Sequence, residues 1–412
     1  MDVMTENNLV PKLRFSDFQD EWISNSFGEL LISSRLGGNY ANSESLTENP
    51  LIKMGNLGRG NIVLDKVQYI EQGETLDNKD LIEYGDLFFN TRNTLDLVGK
   101  VAIWKNELSR AFYNSNLMYI KFDNNFFMNY RLNSFEGIKG LRRLATGTTS
   151  VAAIYTKDLL KLKLTVPSLL EQQKIVSFLS AVDEKLKQLT KKKELLEEYK
   201  KGIMQRIFSQ ELRFRDNSGN NYPDWEEQML GDFSKFYRGH SYNSKNVKNS
   251  GLLVLRSSNI KKGHLVLNKD LQFVDKRCKS EIQLRYNDIV ICMANGSKRL
   301  VGKSGVYLGN YEGDITVGAF CSIMRSERLI SKYILQSIQY RRYLHILLAG
   351  TNINNLKTSE LNDLKFFIPS SKEEDKKIYN FLSSIDSKIE LVSTQIENTK
   401  AFKKGLLQQM FV

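Results

Sequence analysis

The sequence predicts an α+β fold, two related α/β domains joined by two long helices, and three observations carry that prediction. From Pro167 to Phe208 the apolar residues Ile175, Leu179, Val182, Leu186, Leu189, Leu196, Ile203 and Ile207 step by four and three, interrupted by Lys193 and Lys200. Such a series is the seam of a heptad helix. It returns 203 residues later as Ile378, Leu382, Ile385, Ile389, Val392, Ile396, Leu406 and Met410, interrupted by Thr399 and Lys403. Identities travel with the pattern: Lys174, Phe178, Asp183, Lys185, Lys200, Gly202, Gln205 and Phe208 recur as Lys377, Phe381, Asp386, Lys388, Lys403, Gly405, Gln408 and Phe411. Half of 412 residues is 206, so a shift of 203 marks a duplicated chain. The third observation is the stretch before each helix, where short β-type runs alternate with Gly and Asn clusters.

In chain order, residues 1 to about 10 read as disordered, and Leu13-Arg14-Phe15 follows. The triplet recurs as Leu212-Arg213-Phe214 just after the first helix, so the repeat is cyclic and the two ends of the sequence are expected close together. Leu51 to Met54, Ile62 to Leu64, Leu87 to Asn90, Val101 to Trp104 and Leu117 to Phe122 read as strands, with a helix from about Asn129 to Leu144. Framework points then repeat. Asn56-Leu57 with Gly60 returns as Asn259-Ile260 with Gly263, Gly85-Asp86-Leu87 as Asn287-Asp288-Ile289, and Leu97-Val98-Gly99-Lys100 as Leu300-Val301-Gly302-Lys303. Gly147-Thr148 returns as Gly350-Thr351, and Pro167 as Pro369. Each proline follows a β-like run, Leu162 to Val166 or Leu364 to Ile368, and precedes a helix, where its missing N–H costs little. The expected segments are a domain at 1–166, a helix at 167–210, a domain at 211–368 and a helix at 369–412. Between framework points the halves diverge, as two scaffolds serving different ligands would.

Charge narrows the partner. The chain has 59 Lys and Arg against 47 Asp and Glu, a formal charge of +12 that favours a polyanion. Cys278, Cys292 and Cys321 have neither disulfide-framework nor zinc spacing, which points to a reducing cytoplasm. No apolar run reaches the ~20 residues of a membrane span, and an N-terminus containing Asp2 and Glu6 is unlike a signal peptide.

Catalytic and metal motifs are incomplete. His240, His264 and His345 lack triad or ligand spacing. Gly296 to Ser304 falls short of a phosphate loop because Ser297 stands where its first Gly belongs, and Gly58-Arg59-Gly60 ends at Val63 where a dinucleotide fingerprint needs Gly. Asn49-Pro50-Leu51-Ile52 lacks the second Pro and the aromatic of an amino-methyltransferase motif. Asp86 and Asp288 read as turn residues.

Binding residues are plentiful. The candidates for nucleic acid are Arg35, Tyr40, Arg92, Lys100, Lys139, Arg142 and Arg143 in the first half. In the second half they are Arg238, Tyr242, Arg256, Lys261, Lys262, Lys298, Arg299, Lys303, Arg341 and Arg342. Arg offers forked donors to guanine edges and phosphates, and Lys a point charge to phosphates. Each alone could equally be a solvated charge; their recurrence in both halves carries the reading. A second group lies off the heptad seam: Phe178, Tyr199, Met204 and Phe208, repeated as Phe381, Phe402, Leu407 and Phe411. Apolar surface there needs a neighbour, either the chain's own domains or two identical partner subunits.

The chain resembles, over its whole length, the specificity subunit of bacterial type I restriction-modification systems. The resemblance rests on the duplicated module, on Gly85-Asp86-Leu87-Phe88-Phe89 and Asn287-Asp288-Ile289-Val290-Ile291 with their Val-Gly-Lys turns, and on Pro167-Ser168-Leu169-Leu170-Glu171-Gln172-Gln173-Lys174-Ile175 leading into Phe178-Leu179 and Asp183. The second copy of the last motif, Pro369-Ser370-Ser371-Lys372-Glu373-Glu374-Asp375, is one residue longer. The resemblance implies two target-recognition domains, each reading part of a bipartite, asymmetric double-stranded DNA target. It implies an antiparallel coiled coil of the two helices that sets the spacer, and no catalytic residue, metal or cofactor in this chain. S-adenosylmethionine would belong to two adenine-methylating modification subunits, and ATP and magnesium to restriction subunits. The rival readings are a stand-alone two-domain DNA-binding regulator, which would not need the off-seam apolar pairs, and a self-sufficient enzyme, which would need a complete motif.

Overall fold

A computed structural model describes residues 10–275, 277–349 and 354–412. The return of Gly147-Thr148 at Gly350-Thr351 lies outside the described residues, as does the disorder expected for residues 1–9. Two compact units form: 1–190 with 394–412, and 191–393. Both long helices are continuous, Leu169–Phe208 and Lys372–Gln409, and the unit boundaries fall near their middles. Each unit therefore holds half of each helix, and the expected edges at 166, 210 and 368 mark changes of secondary structure within a unit.

In the first unit the seam residues Ile175, Leu179 and Val182 share a buried core with Leu406, Met410 and Phe411, so the start of one helix packs on the end of the other. In the second unit Met204 and Ile207 share a core with Ile378, Leu382 and Ile385. Both pairings are antiparallel. Charge fixes their register: Lys403 pairs with Asp183 in one unit, and Lys200 Nζ with Asp386 Oδ1 at 2.6 Å in the other. Each aspartate also accepts from a domain tyrosine, Tyr130 or Tyr333, at 2.8 Å.

Among the described residues, the first unit's main sheet has five strands in the order Ser33–Leu36, Leu117–Lys121, Leu87–Asn90, Val101–Ile103 and Gly60–Asn61. The second unit answers with Ser234–Arg238, Cys321–Ser326, Ile289–Cys292, Ser304–Val306, Gly263–Leu265 and Ile260–Lys261. The central strands are buried throughout, Leu87-Phe88-Phe89-Asn90 and Ile289-Val290-Ile291-Cys292, which explains why they read as continuous apolar runs. Gly60–Asn61 runs parallel to Val101–Ile103, and the strand expected at Ile62 to Leu64 shortens to a bridge from Ile62 to Leu57. The single helix expected from Asn129 is two, Asn125–Asn133 and Phe135–Leu144. Ser134 divides them: its backbone is extended, and its hydroxyl accepts from Gly137 N–H at 3.1 Å as the second helix's cap.

The strands before the prolines, Lys163–Val166 and Lys365–Ile368, pair antiparallel with Ile23–Ser26 and Glu226–Met229. The extra residue after Pro369 is absorbed before the helix begins. Ser371 Oγ accepts from Glu374 N–H, as Ser168 Oγ does from Glu171 N–H, each at 3.4 Å. The cyclic repeat has a direct structural form: Leu13 N–H donates to Gln409 O at 2.9 Å in the first unit, and Leu212 N–H to Arg206 O at 3.0 Å in the second. Arg131, buried and with its pKa pushed down to about 10 by that burial, donates to Val412 O at 2.6 Å.

Candidate nucleic-acid interface

Sheet register brings several expected residues to one end of each unit. Leu36 lies opposite Met118, and Asn90 opposite Leu117, so Arg35 and Arg92 flank the start of the strand at 117. In the second unit Arg238 lies opposite Ser322 and Cys292 opposite Cys321, placing Arg238 and the segment leading to Lys298 and Arg299 around the start of the strand at 321. Arg92, Arg238, Lys298 and Arg299 are exposed. Arg35 is half-buried, 5.5 and 5.3 Å from the ring centres of Tyr113 and Tyr119 and 3.5 Å from Asp80. Tyr40 is not surface: its hydroxyl donates to Asp80 at 2.7 Å, and burial, then Asp80, raises its pKa to about 12. Tyr242 is half-buried beside Gly318.

A second cationic group in the first unit gathers on the loop from Asp96 to Lys100. Arg59 Nη2 donates to Asp96 O at 3.4 Å, and Arg142 pairs with the Asp96 carboxylate. Crowding and like charge both act here: burial and Arg142 lower the pKa of Arg59, and burial and Arg59 lower that of Lys100. The fold thus holds three cations together against their repulsion, a setting that suits a phosphate. The sequence reading does not include Arg59, whose flanking glycines fail a nucleotide motif. Its signal was the framework glycine beside it: Gly60, at φ +89°, repeats as Gly263, at φ +85°. Lys139 pairs with Glu136 at 3.6 Å on the same helix as Arg142, and Arg143 is exposed.

Counterparts in the second unit differ in detail. Lys262 pairs with Glu197 at 3.0 Å, and Lys303 donates to Ile260 O at 3.1 Å. Arg299 occupies the position of Asp96. Arg341 and Arg342 are exposed on the helix Ile338–Ala349, and Lys261 on its strand. Arg256 is drawn away to Asp270 at 2.6 Å. Asp288 caps its turn, accepting from Arg285 N–H, and is held by Arg325 at 2.8 and 2.7 Å; Asp86 accepts similarly from Glu83 N–H.

Most of the off-seam apolar residues are already occupied by the chain itself. Phe178 packs edge-on against Phe15 at 5.8 Å, Phe208 against Trp225 at 6.4 Å, and Phe381 against Phe214 at 5.5 Å. Phe411 lies between Trp22 and Phe127, and Met204 and Leu407 join their units' cores. Only the equivalent pair Tyr199 and Phe402, 51% and 53% exposed, presents large rings to solvent among these eight. For the other six, the neighbour that off-seam apolar surface needs is the chain's own domain.

Among the described residues, no group of three or more His, Cys, Asp or Glu could hold a metal ion, and no helix is long and apolar enough to cross a membrane.

Residues 26–198 and 222–400 each match the family profile of the type I restriction modification DNA specificity domain. The chain is 32% identical over 194 residues to the type I restriction enzyme StySPI specificity subunit of Salmonella potsdam, covering 45% of this chain and 40% of that one. It is 32% identical over 186 residues to the EcoKI specificity subunit of Escherichia coli K12, covering 43% and 38%. The matched stretch thus spans about two fifths of each of these relatives. Over its whole length the fold matches the S subunit of a type I restriction-modification system from M. genitalium, with a TM-score of 0.61, 15% identity, and coverage of 98% of this chain and 99% of that one.

Proposed function

The chain belongs to the family of type I restriction modification DNA specificity domains, and from that premise we propose that each of its units reads one part of a bipartite, asymmetric DNA target. Its role is specificity, not chemistry. The observation that carries the reading is that the same end of each unit's sheet gathers cations, though at non-equivalent positions, Arg35 and Arg92 in one unit and Arg238, Lys298 and Arg299 in the other, on scaffolds whose side chains diverge. Cations of this kind position a duplex through its phosphates, and base edges supply the sequence information.

The long helices set the spacer between the half-sites and dock two modification subunits, with Tyr199 and Phe402 as equivalent contacts. S-adenosylmethionine binds and adenine is methylated on those subunits, and ATP and magnesium serve restriction subunits. The complex works on chromosomal and incoming DNA in the cytoplasm. Mapping adenine methylation across the genome of cells with modification subunits, with and without this chain, tests the proposal. A split motif that disappears with the chain is expected; methylation at the same sites in its absence would overturn it.

A further inference from the structure

Both units carry the same turn at the cation-flanked end of the sheet. Leu117 N–H donates to Asn114 O at 3.0 Å, and Cys321 N–H to Gly318 O at 2.8 Å. Each turn rests against the segment that follows the first strand of its sheet through a parallel bridge, Gly38 with Asn114 and His240 with Gly318. The approach is close enough to dictate sequence: a Cβ at Gly37 would stand 2.3 Å from Tyr113 O, and one at Gly239 would stand 2.1 Å from Gly318 O. Glycine at those two positions is what lets the backbones meet. The paths are therefore equivalent and fixed, while the tips differ: Ser115-Asn116 in one unit, Ala319-Phe320 in the other.

Phe320 is held firmly and points outward. Its carbonyl accepts from the amides of Met293 at 2.8 Å and Ala294 at 3.2 Å, yet the residue is 71% exposed. A lone exposed apolar side chain is ordinary. This one stands on a rigid turn with Arg238 on the neighbouring strand and Asn295, Lys298 and Arg299 on the segment that follows Ala294. Phosphates drawn to those cations would bring base edges onto the ring. In the major groove the apolar group on a base edge is the thymine C5-methyl, and the bidentate partner of an asparagine is adenine.

From this geometry we infer that residues 116 and 320 are equivalent base-reading positions, with Phe320 packing on a thymine methyl and Asn116 pairing with an adenine edge. The inference rests on the DNA-reading function proposed above. Methylation motifs are mapped for complexes containing wild-type chain, Phe320→Ala and Asn116→Ala. Phe320→Ala relaxes one base pair in one half of the motif, and Asn116→Ala one base pair in the other half. On the mapped duplex, deoxyuridine in place of the thymine weakens wild-type binding about fourfold, the worth of one buried methyl, and leaves the Phe320→Ala complex unchanged. Motifs that stay strict in both variants, or an equal uracil penalty in Phe320→Ala, overturn the inference. So does 2-aminopurine fluorescence showing that Phe320 unstacks a base step as a wedge. A wild-type complex with no split motif instead defeats the underlying function, so the two failures are distinguishable.

Discussion

Arg14 grips Glu171 with two guanidinium nitrogens, each 2.8 Å from a different carboxylate oxygen. Trp22 Nε1 donates to the same carboxylate at 3.3 Å. The arrangement is duplicated by Arg213, Glu374 and Trp225, and both glutamates are buried in the first turn of a long helix. Removing either carboxylate takes away the bidentate partner of a partly buried guanidinium, which among the described residues keeps only Asp20 O in one unit and Tyr222 O, Pro223 O and Asp224 in the other, so Glu171→Ala and Glu374→Ala should each cost roughly 2–3 kcal/mol. Urea denaturation measures the loss; a shift below ~1 kcal/mol in both variants would contradict the burial argument.

The off-seam apolar residues divide into two experimental classes. Phe178→Ala and Phe381→Ala remove half-buried rings packed on the chain's own domains and should destabilise by about 1–3 kcal/mol. Tyr199→Ala and Phe402→Ala should stay within ~0.5 kcal/mol of wild type, yet weaken co-purification of modification subunits. Stability by denaturation, read beside complex yield by light scattering, separates the classes. Normal assembly of the Tyr199/Phe402 double variant would remove these rings from the docking surface.

His264 gives the second unit an acid-sensitive point. Burial, then Lys332 and Lys200, lowers its pKa below 6.5 against the opposing pull of Asp386 and Glu390. Between that lowered value and 6.5 the unfolded chain binds a proton that the folded chain excludes, so stability rises with pH and is lost on acidification through this window. His264→Gln should flatten the dependence between pH 7.5 and 5.5. Urea midpoints for both proteins at the two pH values check it, and parallel slopes would contradict the assignment.

Inserting one heptad into both long helices preserves the seam and adds roughly 10 Å, about three base pairs at ~3.4 Å each. Methylation mapping of the altered complex should show a correspondingly longer spacer between unchanged half-sites. Retention of the original spacer would refute the helices as its determinant.

Local periodicity makes the long helices and the central strands legible in the sequence, because heptad spacing and buried apolar runs are properties of short windows, and the repeat is legible because identities recur at one fixed shift. Residues whose role depends on a distant neighbour were not legible. Phe178 and Tyr199 look alike in sequence, and only Phe15 beside one of them decides which is covered. Tyr40 reads as a binding residue until Asp80, forty positions on, takes its hydroxyl. Arg59 gained meaning only when the helix carrying Arg142 came to lie across the same loop.

The hydrogen bond from Leu13 to Gln409 is the counterpart of one that the chain makes between near neighbours, Leu212 and Arg206. If each unit closes only when its own residues have been made, this difference sets an expected order during synthesis. The second unit is one continuous stretch, 191–393, and can close as soon as it has emerged. The first must keep its residues up to 190 waiting through that whole interval, because Leu406, Met410 and Phe411 belong to its core and Val412 O to its Arg131. The half synthesised first is thereby expected to be completed last, with Trp22 and Phe127 lacking the ring of Phe411 until the second helix has been made.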